Sequence, residues 1–210
     1  MSHAEGIQTT ASNAAAHAEG SGTTASGVYA HAEGNSTTAS GLGSHSEGFD
    51  TTASNTGTHA EGFGSVASGY GSHAEGFDSV ASGRASHVEG YLTIASGRAT
   101  HAIGQYNVDL NAGTAADVKG TYVEIIGNGT ADNARSNAYA LDWNGNGHYN
   151  GYVYVGCNAD STSGTRLPHD VQVNGTSVVS NGIANIPLAS TSAPGVMTVG
   201  FGLVTIDNTV

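Results

Sequence analysis

The chain has 210 residues, with 5 Lys and Arg against 17 Asp and Glu, and a formal net charge of −12 at neutral pH. Because Arg84 is the first cationic side chain, the preceding residues carry no Lys or Arg to contact phosphates. This charge pattern excludes nucleic acid as a partner and disfavours anionic membrane surfaces. No apolar run approaches the roughly 18 residues of a transmembrane helix, so we expect no membrane insertion. Cys157 is the single cysteine, so the chain can form no internal disulfide.

Histidine recurs every 14 residues through the first half of the chain, and Glu follows it two residues later in every unit but the last. The histidines are His3, His17, His31, His45, His59, His73, His87 and His101, and the glutamates are Glu5, Glu19, Glu33, Glu47, Glu61, Glu75 and Glu89. Ile103 stands where the eighth Glu would be. A fixed period of this kind indicates a chain wound into stacked, near-identical coils.

Each unit divides into two halves of seven residues. One half reads Ser-His-Ala-Glu-Gly, as at residues 72–76, and the other reads Thr/Val/Ile-Ala-Ser-Gly, as at residues 24–27, 66–69 and 94–97. A coiled coil would need large apolar residues at two positions of every heptad, whereas Ala and Gly are the constant residues here. Strand alternation fits better, because it points Ala to one side and His and Glu to the other. Gly or Asn then permits a turn with positive φ.

The interior of such a coil would hold only Ala, Ser and Thr. Roughly seven coils spaced about 4.8 Å apart would form a rod about 35 Å long. One thin roll buries little apolar surface, and at ~25 cal/mol per Å² this burial cannot offset a chain entropy of ~1–2 kcal/mol per residue. We therefore infer that several chains pack side by side.

The repeat over about residues 2–107 resembles the YadA-like head repeats of trimeric autotransporter adhesins. Those heads have apolar residues where His and Glu stand in this chain, and this version is more similar to the head-like repeats of bacteriophage tail fibres and appendages. The resemblance implies an all-β fold, a left-handed parallel β-roll with 14-residue coils that assembles as a homotrimer.

After Gly104 the period ends, and we expect residues 105–111 to form a terminal coil or neck. Alternating residues predict strands at 121–126, 138–143 and 149–155, the last two joined by an Asn-Gly turn at 144–147. Two further Asn-Gly pairs, at 174–175 and 181–182, predict hairpins near the C-terminus. These segments resemble, more loosely, phage tail modules and fibre stalks. The predicted domains are a β-roll at 1–107, a small β module at 108–170 and a hairpin or stalk segment at 171–210. Because Met1 lies inside a repeat unit, we expect a fragment of a longer protein.

The histidine and glutamate ladder has two interpretations. A His two residues from a Glu on one face could ligate a divalent ion, but a hydrogen-bonded structural ladder explains the pair equally in every coil. We prefer the structural interpretation and predict no catalytic residue, no cofactor and no metal. The invariance of His favours packing against a neighbouring chain. The more apolar positions Thr24, Val66, Val80 and Ile94 are the other candidates for that contact.

An aromatic stripe recurs with the same period directly after the Gly of the histidine half, at Phe49, Phe63, Phe77 and Tyr91. Packing between subunits is the preferred interpretation, and recognition of a glycan or protein is the alternative. Arg84 and Arg98 occupy the matching position of the other half, where we expect solvated contacts with carboxylates.

The remaining residues match no catalytic or ligand-binding motif. Trp143 is expected in the core of its small module rather than in a sugar platform. The chain lacks a serine nucleophile motif, a His-Glu-x-x-His pattern, a phosphate loop and a paired set of acids, so we predict that it is not an enzyme.

These observations predict a structural and receptor-binding segment of a trimeric phage tail fibre or appendage, located in the virion. Its partners would be its own copies and a host cell-surface receptor, either a glycan or a protein. The alternative is a bacterial trimeric surface adhesin that binds host matrix or glycans at the bacterial cell surface. A tailspike that cleaves polysaccharide is a third and less favoured hypothesis.

Overall fold

The computed structural model describes residues 1–110 and 117–150, and beyond them only the backbone of three short strands. Residues 1–153 form one compact unit and residues 154–210 a second. The described residues contain strands and turns but no helix, and hence no helix long and apolar enough to cross a membrane. Cys157 and most of the strand expected at 149–155 lie outside the described residues.

The first unit is built from short strands separated by tight turns. They are β1 (His3–Ile7), β2 (Thr10–Ala11), β3 (His17–Ser21), β4 (Thr24–Ala25), β5 (His31–Asn35), β6 (Thr38–Ala39), β7 (His45–Phe49), β8 (Thr52–Ala53), β9 (His59–Ala60), β10 (Val66–Ala67), β11 (His73–Ala74), β12 (Val80–Ala81), β13 (His87–Val88), β14 (Ile94–Ala95), β15 (His101–Gln105), β16 (Tyr122–Asn128), β17 (Asn137–Asp142) and β18 (Gly147–Tyr149). The two strands of each coil come from the two halves of the sequence unit, as expected from the alternation of Ala with polar residues.

Parallel pairing winds these strands into a solenoid of about seven turns. The odd-numbered strands β1 to β15 form one sheet and the even-numbered strands β2 to β14 form another. Each residue pairs with the residue 14 positions along the chain, as His31 does with His45 and Val66 with Val80. The predicted all-β architecture of parallel coils with 14 residues each is therefore confirmed.

The interior is as thin as the sequence predicts. Two clusters of buried alanines occupy it, divided where Ser46 replaces Ala in the fourth coil, and Val88 replaces Ala in a later coil. Buried Ser and Thr side chains also fill the interior, and several of them hydrogen-bond there, as Ser46 does with Thr51 at 2.9 Å. Small side chains let the two sheets approach closely, but each coil removes little apolar surface from water.

Glycine is required where consecutive coils approach most closely. The Gly three residues after each of the eight histidines has a φ between +91° and +119°. A Cβ on Gly48 would overlap the carbonyl oxygen of Gly62 in the next coil, and the same clash recurs along the column. The turn position at Gly57 is different, since a Cβ there would meet no atom within 4 Å. Ala85 occupies the equivalent position in another coil with a φ of 54°.

At the last coil, side chains make the hydrogen bonds that the backbone of a further strand would make. Asn107 is fully buried, accepts a hydrogen bond from the Ile94 backbone N–H at 2.7 Å and donates one to the Ile94 carbonyl at 2.8 Å. Asp109 accepts hydrogen bonds from the backbone N–H and the hydroxyl of Ser96. Residues 105–110 thus end the sheet of even-numbered strands.

The other sheet continues beyond the repeats. Strand β16 pairs in parallel with β15, which places Glu124 beside His101 and the buried Ile125 beside Ala102. Strands β17 and β18 then add antiparallel to the same sheet. The segment after residue 107 therefore extends the solenoid sheet among the described residues.

The second unit is described only as the backbone strands β19 (Val171–Val173), β20 (Thr176–Ser180) and β21 (Ile183–Ala184). Strand β19 pairs antiparallel with β20, and β20 pairs antiparallel with β21. The Asn-Gly pairs expected to form their turns lie outside the described residues.

The glycine column provides a test of the coil geometry. We expect Gly48→Ala to lower the free energy of unfolding by about 3 kcal/mol or more, because it adds a clash to an unfavourable φ. Gly57→Ala is the matched control and should cost only about 1–2 kcal/mol, because it meets no atom and adds the positive φ alone, which Ala85 also adopts at the equivalent position. Denaturant unfolding followed by circular dichroism measures both, and equal costs for the two variants would contradict the coil packing.

Candidate functional site

The eight histidines lie in one column on the outer face of the sheet of odd-numbered strands. Neighbouring rings have centroids 4.6–5.0 Å apart, and from His17 onward their planes lie within 19° of each other. The parallel register causes this stacking, because each His sits directly over the His of the next coil. The side chains are roughly one-third exposed, while their Ala neighbours in sequence face the interior.

The glutamates form a second column beside the histidines, and the direction of the His–Glu pairs changes along it. In the early coils His pairs with the Glu of its own coil, as His31 does with Glu33 at 3.6 Å. In the later coils His pairs with the Glu of the preceding coil, as His59 does with Glu47 at 3.5 Å. In the described part of the chain, His45 lies at the change and has no carboxylate within 4.0 Å.

The histidine column ends with a substitution that the repeat could not predict. Ile103 replaces the Glu of the last coil, but Glu124 of β16 pairs with His101 at 3.1 Å. A residue outside the repeat therefore restores a carboxylate to the last histidine. The Nε2 atoms of His17 and the six histidines after it are covered and make no hydrogen bond to a described residue.

Stacking disfavours charge on the imidazoles. Burial lowers the pKa of His45, and the neighbouring imidazoles of His59 and His31 lower it further. Burial followed by the His59 imidazole lowers the pKa of His73, and burial with the imidazoles on either side lowers the pKa of His87. His45, His73 and His87 are therefore held mainly as neutral rings at neutral pH.

The pKa values of three successive glutamates shift in different directions. Burial and hydrogen bonds to Glu61 and Glu89 raise the pKa of Glu75 to about 7. Hydrogen bonding from Glu75 lowers the pKa of Glu61, and hydrogen bonding with Glu33 raises the pKa of Glu47. The direction of the shift thus alternates over three coils, as expected when a protonated carboxyl donates to an ionised neighbour.

The aromatic stripe forms a second ring stack. Phe49, Phe63, Phe77 and Tyr91 lie 4.8–4.9 Å apart with planes within 17° of each other, and each ring is 37–46% exposed. Tyr106 covers the last ring edge-on at 5.4 Å. Because neighbouring rings cover one another's faces, solvent meets mainly ring edges. Sugars stack on ring faces, so this geometry favours contact with an apolar protein surface.

The edge of the solenoid opposite the aromatic stripe carries exposed apolar residues that the sequence pattern did not indicate. Tyr29, Leu42 and Tyr70 are 50–67% exposed there. Arg84 lies 5.2 Å from the centre of the Tyr70 ring and pairs with Asp117 at 3.3 Å, so the expected solvated ion pair is present. The residue identities vary from coil to coil, which concealed this stripe in the sequence.

A shallow depression of about 370 Å³ surrounds Trp143 at the end of β17. Lys119 lies 4.5 Å over the indole, and His148 packs edge-on against Tyr122 at 5.4 Å. Hydrogen bonds from the side chain and backbone of Asn146 lower the pKa of Asp142 to about 2. Trp143 is partly buried, and Lys119 covers one face of its ring. Its neighbours come from two separate segments, and no sequence motif predicted that these segments would meet.

The glutamate column also borders a shallow depression of about 400 Å³, lined by Glu75, Glu89, Ile103 and three glycines. Its two carboxyl groups project side by side from neighbouring coils. The two acids of a polysaccharide-cleaving enzyme stand on opposite sides of the scissile bond, whereas these two carboxyl groups lie side by side on one face. The arrangement can share protons and attract cations.

The neutral histidine column predicts a loss of stability in acid. Because the folded chain lowers the pKa of His73 and His87 below 6.5, the unfolded chain takes up protons first as the pH falls. Their contribution to stability is complete above about pH 7 and decreases as the pH falls through about 6.5. We expect the melting temperature to decrease from roughly pH 7 to pH 5.

Glu75 acts in the opposite sense, because its pKa is raised to about 7: its contribution to stability is complete below its ordinary pKa of 4.5 and is lost as the pH rises to about 7. Its solvent exposure weakens this effect. The variant Glu75→Gln should therefore show a steeper decrease in melting temperature, and the double variant His73→Gln/His87→Gln a shallower one. A melting temperature that stays constant between roughly pH 8 and pH 5 would contradict a stacked neutral column.

A scan against models of protein families and a search of curated proteins gave no match for this chain. The parallel solenoid with 14-residue coils is consistent with a β-roll repeat. The resemblance to YadA-like head repeats stays an interpretation of the repeat residues.

Proposed function

We propose that the chain is a structural and receptor-binding segment of a homotrimeric fibre, of the kind found in phage tail fibres and appendages. The observation that carries the proposal is an in-register solenoid with a small-residue interior and an exposed aromatic column. A YadA-like left-handed β-roll is the architecture we assign to it. Identical coils provide length and a surface that repeats along the rod.

The small interior supports association. Alanine buries much less area than the Val, Leu or Ile of ordinary cores, so each coil gains little at ~25 cal/mol per Å². Fixing each residue costs ~1–2 kcal/mol of backbone entropy. Backbone hydrogen bonds between coils offset part of this cost, and burial of the exposed columns against other copies would add the missing apolar contribution.

The aromatic column is the contact that we assign between neighbouring copies. Its rings are exposed at their edges in four successive coils, so a partner that repeats with the same spacing can pack along all of them. Another copy of this chain has that spacing. We also assign the histidine and glutamate face to the inter-chain region, because a neutral and proton-sharing surface costs less to desolvate than an ionised one.

The recognition function follows from multivalency. A rigid trimeric rod presents three copies of each weak contact, and the high effective concentration of the second and third contacts raises the overall affinity. We propose a glycan or protein on a host cell surface as the receptor. The fibre would be part of a virion.

The solution mass provides the first test. We expect a stable mass near three times the 20.9 kDa chain at low micromolar concentration, measured by sedimentation velocity. The double variant Phe63→Ser/Phe77→Ser should weaken association by at least about tenfold, because it removes two buried aromatic contacts from each chain.

Leu42→Ser is the matched control, since it removes an exposed apolar side chain from the opposite edge. It should leave the mass unchanged. A folded wild-type monomer would refute the trimer, and equal effects of both variants would refute the assigned contact.

The receptor function needs a separate measurement. Fluorescently labelled chain should bind intact cells of some bacterial strains saturably, and unlabelled chain should compete. Binding confined to animal matrix proteins would instead identify a bacterial adhesin. A trimer that binds neither surface would leave only the structural role.

A further inference from the structure

The reversal of the His–Glu pairs leaves His45 between two complete pairs. On one side His31 lies 3.6 Å from Glu33, and on the other His59 lies 3.5 Å from Glu47. His45 stacks between the two rings at 4.8 and 4.7 Å. Its Nε2 is covered and makes no hydrogen bond to a described residue. Both pairs therefore lie beside an imidazole that no carboxylate holds.

Each of these pairs forms a potential ligand set with His45. One nitrogen of His45 and one ligand atom from each of His31 and Glu33 lie within 4.8 Å of one another. The same holds for His45 with Glu47 and His59. Two imidazoles and a carboxylate, completed by water, are a common donor set for zinc and related ions.

We propose that the chain binds one divalent transition-metal ion of the Zn²⁺ class through His45 and one of the two adjacent His–Glu pairs. The two ligand sets share His45, so filling one set removes the other. The stoichiometry is therefore one ion per chain for this region.

His45 is suited to this role because it can turn. The lone pairs of parallel stacked rings run side by side and do not converge on one ion. The ligands of a tetrahedral ion with bonds of 2.0–2.1 Å lie only about 3.4 Å apart, so one ring has to leave the stack. His31 and His59 each have a carboxylate oxygen 3.5–3.6 Å from Nε2, whereas His45 has none within 4.0 Å among the described residues and gives up only ring stacking.

The surrounding charge favours a cation over continued pairing among the side chains. The glutamates repeat along one face at the coil spacing, and Arg84 is the first cationic residue in the chain. An ion bound at His45 would neutralise part of this column. The nitrogen ligands set its class, because Mg²⁺ and Ca²⁺ prefer all-oxygen sites and would gather along the carboxylates without needing His45.

Titration of the tag-free full chain at neutral pH tests the proposal. Glu61, His73 and Glu75 also lie within 4.8 Å of one another but include a single imidazole, so the double variant Glu61→Gln/Glu75→Gln serves as the background for the titration. In that background calorimetry should give one Zn²⁺ per chain, and Co²⁺ should develop the visible absorption of a four- or five-coordinate nitrogen and oxygen site. His45→Gln should lower the Zn²⁺ affinity of this site by at least about tenfold. His87→Gln removes an equally stacked ring three coils away from His45 and should leave both signals unchanged.

Circular dichroism establishes that each variant is folded. Should His45→Gln fail to fold, the double variant Glu33→Gln/Glu47→Gln removes the carboxylate from both ligand sets and should lower the affinity to a similar extent. Equal Zn²⁺ binding by His45→Gln and wild type would overturn the proposal, as would full displacement of Zn²⁺ by equimolar Mg²⁺. One ion per three chains would overturn it in favour of a site formed on a symmetry axis.

Discussion

Parallel in-register stacking is the constraint on which the rest of the solenoid depends. Every side chain of a coil lies over the side chain at the same position of the next coil, which is usually the same residue type, about 4.8 Å away, the spacing of neighbouring strands. Each position must therefore be occupied by a residue that tolerates its own kind as a neighbour. Ala satisfies this requirement in the interior, Gly at the closest approach of the coils, and flat rings on the outer columns. Bulky or permanently charged residues at those positions would accumulate strain or repulsion along the rod.

Titratable residues satisfy the constraint by changing their protonation. Neutral imidazoles stack without repulsion, and burial together with neighbouring rings lowers the pKa of His45 and His87 in that direction. The carboxyl groups alternate in the direction of their pKa shifts, as Glu61 and Glu75 do. The outer face around Glu75, whose pKa is raised to about 7, thus carries less charge at neutral pH than the sequence suggests. This reduced charge makes the face suitable for close contact with other copies.

The period and alternation of the sequence were sufficient to predict the coil length and the inward position of Ala60 between His59 and Glu61, and the resemblance to YadA-like heads implied the parallel pairing. They could not predict the direction in which each His pairs with Glu. A strict repeat offers every histidine two equivalent carboxylates, and the choice between them depends on side-chain rotamers. The role of Glu124 was hidden for a different reason, because it enters the column from outside the repeat. The surroundings of Trp143 likewise come from distant segments without a motif.

The register also has a consequence for how such a rod changes over generations. His59 meets His73 in the same way that His73 meets His87, so one 14-residue unit is interchangeable with the next. Recombination that adds or deletes a whole unit would recreate the same joints on either side of the event. The reach of the rod could then drift in increments of about 4.8 Å, while the terminal cap and everything attached beyond it stay unaltered. Selection could thus adjust the length of the rod without altering the residues that close its last coil.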